Sequence, residues 1–456
     1  MEVNFKKLGI IYKNLYFVFF ILIALFGRSF TGVYILGFRI GELMIAACML
    51  LSIYFLIFVK KSNQYFYFGD KTFYFMKAIV ISFFITVFAT DGSLTYMYTY
   101  RSSSYIWTLA FLFFGMFAFK DIKQESKFLM LIPFLLPITY ILSTTFFPQF
   151  IIDFFTRFSD KFDFLKASDV FLLYIFTNFF NRKYFKEEFN FYLYLLISSA
   201  VFIPLFLFKS KGAFLPAVLF LFFELIRTRK IFLKNKIKSL IVMILCVPIF
   251  YLSTYQTGLQ FLENNYTLEE EVIGANIASS VSRAAQQKNT TELFGSFFMM
   301  DGRLYSEEQM ANWRLQIWQD VLGDLFFYSK YENPDGINYY RQQLAPRTDV
   351  FLTGFGYNER LAAMDDSSRR GTDLSNENVH NFAVNILAKG GLLHFTLFVS
   401  MYLSLIFYWY KKNKNYKLLG FIMFSLMTAF FDVAMESVRF PFIFFGSIAY
   451  LFSENS

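Results

Sequence analysis

Asn376-Glu-Asn-Val-His-Asn-Phe-Ala-Val-Asn-Ile-Leu-Ala-Lys-Gly-Gly-Leu-Leu-His394 is the stretch in which a long polar segment gives way to a membrane helix, and it carries both histidines of the chain. The apolar character that begins here marks a segment entering a bilayer. Reading outward from it, 56% of the 456 residues are hydrophobic, with 68 Phe and 30 Tyr gathered in runs, far more than a soluble domain carries. A helix needs about 20 apolar residues to cross roughly 30 Å of hydrocarbon. Runs of that order predict an all-α polytopic membrane protein with twelve helices, at 8–26, 41–59, 72–90, 102–119, 128–148, 168–181, 189–208, 213–226, 239–255, 381–410, 418–436 and 438–453. Residues 1–255 then hold helices one to nine, 256–379 one large external segment, and 380–456 the last three helices.

Charge supports this alternation. Lys6/Lys7, Lys60/Lys61, Lys120/Lys123/Lys127, Arg182/Lys183/Lys186, the run from Arg227 to Lys238, and Lys411/Lys412/Lys414/Lys417 fall in every second connection, which the positive-inside rule assigns to the cytoplasm together with both termini. Segment 256–379 is the opposite, with 10 Lys and Arg against 18 Asp and Glu, so the overall +9 is a topology signal and gives no reason to expect nucleic-acid binding. Lys6 and Lys7 precede an apolar run without a small-residue cleavage site, so the first helix is expected to stay. Cys48 and Cys246 both lie in apolar runs and imply neither a disulfide nor a thiolate metal site.

Within the external segment, residues 306–326 (SEEQMANWRLQIWQDVLGDLF) open with a Ser/Glu cap signal and place Met310, Trp313, Ile317, Leu322 and Leu325 at helical spacing. This predicts an amphipathic helix that lies on the membrane or packs against the rest of the chain. Asn333-Pro-Asp-Gly336 is a turn signal, and Asp365 and Asp366 fall in a polar loop without a histidine to complete a metal site.

Four groups of residues invite a chemical reading. His380 is expected in the first turn of helix ten, capped by Ser375 or Asn376. There the helix amino end favours a neutral imidazole that can accept a proton, and its N–H groups suit phosphate; the alternative is an interfacial histidine that only hydrogen-bonds. His394 falls inside the apolar span and reads as buried. Ser210-Lys-Gly212 stands at a tight reversal on the outer side, where Lys211 either binds phosphate or snorkels. Arg314-Leu-Gln-Ile-Trp318 offers a bidentate cation on the amphipathic helix, and Gly354-Phe-Gly356 offers a close backbone approach. Asp432, Glu436 and Arg439 read as a structural ion-pair network, and Arg303, Arg369 and Arg370 as solvated or paired charges.

In order along the chain, Ser210-Lys-Gly212, Arg314-Leu-Gln-Ile-Trp318, Gly354-Phe-Gly356 and His380-Asn381 with Gly391 after nine intervening residues resemble the O-antigen ligase and O-antigen polymerase family. That family usually has Arg where Lys211 stands and a second Gly where His394 stands. The resemblance implies a GT-C-like helical bundle in the bacterial inner membrane, with a periplasmic site that needs no metal ion and no cofactor. It implies a donor of undecaprenyl-pyrophosphate-linked oligosaccharide, His380 as base, Lys211 and Arg314 on the pyrophosphate, and Ser210, Gly212, Trp318, Gly354, Gly356, Asn381 and Gly391 in support. Membrane lipids and a chain-length regulator are the partners it suggests, with Trp313, Trp318 and Tyr357 as rings that could pack on sugar or on lipid. A polymerase that joins repeat units is the first reading and a ligase that transfers the glycan to lipid A core the second. A polysaccharide flippase predicts charges through the middle of several spans and internal repeats, and the chain shows few candidates and no repeat.

Overall fold

In hydrocarbon an isolated segment can satisfy its own backbone donors and acceptors only as a helix, so a chain built of apolar runs folds as helices. The computed structural model describes residues 5–58, 69–119, 132–144, 147–160, 162–163, 165–181, 185, 187–267, 297–300, 302–307, 309–326, 348–364, 369 and 377–454. Each of the twelve expected stretches holds helix. Five helices among the described residues are long and apolar enough to cross a membrane: Lys13–Thr31, Asp70–Ala89, Glu188–Lys209, Lys236–Gly258 and Phe382–Asn413. A sixth is added if Phe134–Thr144 and Gln149–Phe158 form one bent span. On the shorter apolar helices, side-chain hydroxyls donate to carbonyls of their own preceding turn, as Ser52 does to Cys48, Thr177 to Leu173 and Ser425 to Phe421, which removes bare polar groups from apolar packing.

The structure departs from the periodicity in several places. The fourth stretch is broken into Met97–Ser102, Ser104–Trp107 and Ala110–Phe119; the ninth runs on to Thr267; the eleventh stops at Ala429, not residue 436, where successive turns take over. Two short antiparallel hairpins, Tyr34–Ile35 with Phe38–Arg39 and Phe297–Met300 with Arg303–Ser306, interrupt the helices. The first turns through Leu36 and Gly37, both at positive φ, the geometry a two-residue hairpin loop requires. The turn at 333–336, the basic residues Lys60, Lys61, Lys120, Lys123, Lys127, Arg182, Lys183 and Lys186, and Asp365, Asp366, Arg370, Ser375 and Asn376 lie outside the described residues.

The chain divides into two compact units. Residues 1–73, 105–261 and 402–456 form the first, residues 74–104 and 262–401 the second. In the first, the helix Arg439–Glu454 packs on Ala110–Phe119, Phe5–Thr31 and Ala167–Asn181 through aromatic contacts such as Tyr16 stacked on Phe442 at 4.7 Å. Such contacts and small-residue packing hold helices together where lipid removes the hydrophobic drive between them. The expected network of Asp432, Glu436 and Arg439 is paired differently. Arg439 meets Asp169 at 3.3 Å, both buried, while Asp432 accepts from Ser168 Oγ at 2.8 Å and faces Lys166 at 3.6 Å. Sequence spacing of four and three residues assumed a helix through 432–439, and the helix ends before it.

In the second unit the helix Gln309–Phe326 buries Ile317 and Val321 against Leu361, Met364, Val379, Val384 and Ala388, and Leu325 is buried as well. It therefore packs inside the protein, with Val321 in the core where Leu322 was expected, and Leu322 only partly buried. Asp320 lies on the same buried face because two arginines meet it: Arg303 Nη2 donates to Oδ1 at 2.8 Å and Arg369 Nη2 to Oδ2 at 2.6 Å. Arg303 and Arg369 are thus buried and paired. Removing one member of such a group leaves uncompensated charge, a cost of about 3–5 kcal/mol. Asp320→Ala is expected to open the 297–326 region to limited proteolysis under conditions that leave wild type intact.

Candidate functional site

Asn381 begins the helix Phe382–Asn413. Its Oδ1 accepts the Val384 N–H at 3.1 Å and its carbonyl accepts the Asn385 N–H at 2.9 Å, the pattern of an N-cap. His380 is therefore the residue just outside the helix, a correction of its expected place in the first turn. Its φ of 53° is in the left-handed region, uncommon for a residue with a Cβ and frequent at sites where the backbone is held for a purpose. The residue before it is anchored: Val379 is fully buried, and the Trp318 indole N–H donates to its carbonyl at 2.7 Å. The imidazole itself meets the Trp313 ring edge to face, centroids 5.1 Å apart. The structure thus brings together His380, Asn381, Trp313 and Trp318, with Arg314 next to Trp313 on the same helix.

Gly391 explains its own presence and that of the Gly-Phe-Gly motif. It interrupts the helix with φ 68° and ψ −172°, a conformation essentially restricted to glycine. Carbonyls in the turn before a break lose helical partners, and here the Phe355 N–H donates to Ala388 O at 2.8 Å and the Gly356 N–H to Lys389 O at 3.0 Å. Gly354 and Gly391 are pressed together so closely that a Cβ on Gly354 would lie 2.5 Å from Gly391 N. Gly354, Gly356 and Gly391, 35 to 37 residues apart in the chain, act as one backbone clasp.

His394 is buried, as the sequence indicates, and its Nδ1 shares a 2.7 Å hydrogen bond with Ser82 Oγ on the helix Asp70–Ala89. Tyr357 is fully buried too, against Phe83 at 5.1 Å, so it is packed away from any sugar or lipid.

Sequence reading missed a group of charges in this same unit. Lys389, 2% exposed, donates from Nζ to the Glu359 carbonyl and lies 5.4 Å over the Tyr98 ring. Glu377, three residues before His380, faces Arg101 at 3.7 Å and Arg360 at 3.8 Å. Lys389 is the only charge between residues 382 and 410, and an ionisable residue in a membrane span is itself a functional signal. Arg101 and Arg360 have no such signal, since one stands on the short helix Met97–Ser102 and the other in the irregular segment after Gly356.

Ser210, Lys211 and Gly212 belong to the first unit. Ser210 is the single residue between the helices Glu188–Lys209 and Lys211–Arg227, and its carbonyl accepts the N–H groups of Ala213 and Phe214. A Cβ on Gly212 would lie 2.6 Å from Phe431 Cβ, so glycine permits that contact. Among the described residues no group of three or more His, Cys, Asp or Glu is arranged to hold a metal ion. Comparison with known proteins found no protein-family model that matches the chain and no match among curated proteins.

Proposed function

We propose that this chain is a membrane glycosyltransferase that acts on glycan carried by undecaprenyl pyrophosphate, and that it joins repeat units as a polysaccharide polymerase in the bacterial inner membrane. The observation that carries the reading is His380, held in a left-handed conformation at a helix amino end, with its ring on Trp313 and its neighbour Val379 tied to Trp318. In this reading His380 accepts the proton of an acceptor sugar hydroxyl as that oxygen attacks the anomeric carbon of the donor. The glycosidic bond to the pyrophosphate breaks, configuration inverts, and the lipid pyrophosphate leaves with the electron pair. Arg314, in the unit that holds His380, supplies positive charge that stabilises the growing negative charge on the leaving group. Arg101, Arg360 and Lys389 add cations to the unit that holds His380.

A glycolipid gel tests the reading in a strain lacking the gene. A polymerase leaves lipid A core with a single repeat unit and no ladder; bare core with long glycan on the carrier means a ligase; an unchanged ladder overturns both. The site is proposed to face the periplasm, which makes a separate prediction. In a variant with Cys48 and Cys246 replaced, a cysteine introduced by Ser367→Cys reacts with an impermeant maleimide in intact cells. Labelling that appears only after lysis reverses the topology.

A further inference from the structure

The connection from the helix Phe382–Asn413 to the helix Lys417–Ala429 is built of cations and aromatic rings. Lys411, Lys412, Lys414 and Lys417 stand within seven residues, and no Asp or Glu occurs between residues 401 and 431. Tyr410 and Tyr416 stack at 5.0 Å across the turn, and Lys414 Nζ lies 5.9 Å from the Tyr410 ring centroid. The turn is fixed by Asn415, whose Oδ1 accepts the Trp409 indole N–H at 2.8 Å and the Lys417 N–H at 3.1 Å. Lys414 adopts φ 52°, so the connection holds a specific, strained shape.

Beside this turn lies an apolar cleft of about 310 Å³, lined by Leu403, Ile406, Phe407, Trp409, Tyr416 and Leu419. Leu403, Phe407 and Tyr416 are 58%, 68% and 58% exposed, whereas Trp409 is buried beneath them as the floor. An apolar cleft on a membrane helix admits the acyl chain of any lipid. The rim decides which lipid stays: a cluster of lysines attracts a negative headgroup, and aromatic rings at the end of a span sit at headgroup level. We infer that this is a binding site for one anionic phospholipid, its acyl chain in the cleft and its phosphate among Lys411, Lys412 and Lys414. The inference is independent of the proposed enzymatic activity, since no residue of the His380 site takes part in it.

Trp409, one of four tryptophans, makes the site observable. The full-length protein is reconstituted in phosphatidylcholine bilayers containing increasing mole fractions of dibrominated phosphatidylglycerol or of dibrominated phosphatidylcholine, and the quenched emission lost in Trp409→Phe is taken as the Trp409 signal. Attraction of three lysines for one anionic headgroup predicts half-quenching at a mole fraction at least roughly tenfold lower for the anionic lipid. The Lys411→Gln/Lys412→Gln/Lys414→Gln variant is expected to lose this preference and to keep its quenching by the zwitterionic lipid. Equal quenching of wild type by the two lipids overturns the inference and makes the cleft a place for bulk lipid. A preference that survives in the triple variant overturns the role of the lysines. If that variant does not accumulate, the wild-type comparison alone decides.

Discussion

Replacing His380 by alanine is expected to lower glycan transfer by about 10²- to 10⁴-fold, the usual worth of a positioned general base, while protein stays in the membrane at its wild-type level. The loss of transfer follows from the proposed role of the imidazole. The retention of protein follows from the packing, because the chain at this point is held by its neighbours. Val379 is buried with its carbonyl on Trp318, and Asn381 caps the helix that follows. Removing the ring forfeits its contact with Trp313, worth about 0.5–1.5 kcal/mol. His380→Asn is the sharper variant: asparagine tolerates the left-handed backbone and keeps hydrogen-bonding capacity, yet cannot accept a proton at neutral pH. Near-normal transfer by His380→Asn would remove the histidine from the mechanism.

Gly391→Ala is expected to be strongly destabilising. Its backbone conformation costs a residue with a Cβ about 1–3 kcal/mol, and the added methyl would also press on Gly354 N, 2.5 Å away. Relief would require the 352–356 segment to retreat, which would release the hydrogen bonds from Phe355 to Ala388 and from Gly356 to Lys389. The expected readout is a large fall in membrane-inserted protein or in its melting temperature, in contrast to the His380 variants, which change transfer alone. Gly354→Ala should fail in the same way, since the clash is reciprocal. Wild-type stability in either variant would show that the two backbones are not clasped.

The helices were legible because apolar runs report burial in lipid directly, and every expected stretch holds helix. Their ends and breaks were less so. The end of the Lys417–Ala429 helix is set by turns through 430–437 that composition does not mark, and the break at Gly391 depends on a partner loop 35 residues earlier. The motif glycines stood out as a pattern, but their use as mutual backbone contacts is a fact of tertiary structure. Similarly, Trp313 and Ile317 reveal a buried helical face, whereas Asp320 on that face reads as an error until Arg303 and Arg369 arrive from distant segments to neutralise it. Charge pairing has no period, so Arg439 with Asp169 and Glu377 with Arg101 and Arg360 could not be found by spacing. Lys389 could have been found, as an isolated cation in a membrane helix.

The most direct test of the proposed chemistry uses purified full-length protein in bilayers with a synthetic polyprenyl-pyrophosphate-linked oligosaccharide as both donor and acceptor. Wild type is predicted to release polyprenyl pyrophosphate and form carrier-linked product two repeat units long, with His380→Asn slower by at least about 10² in the same bilayers. Failure of wild type to consume the donor, or equal rates for wild type and His380→Asn, would contradict the account.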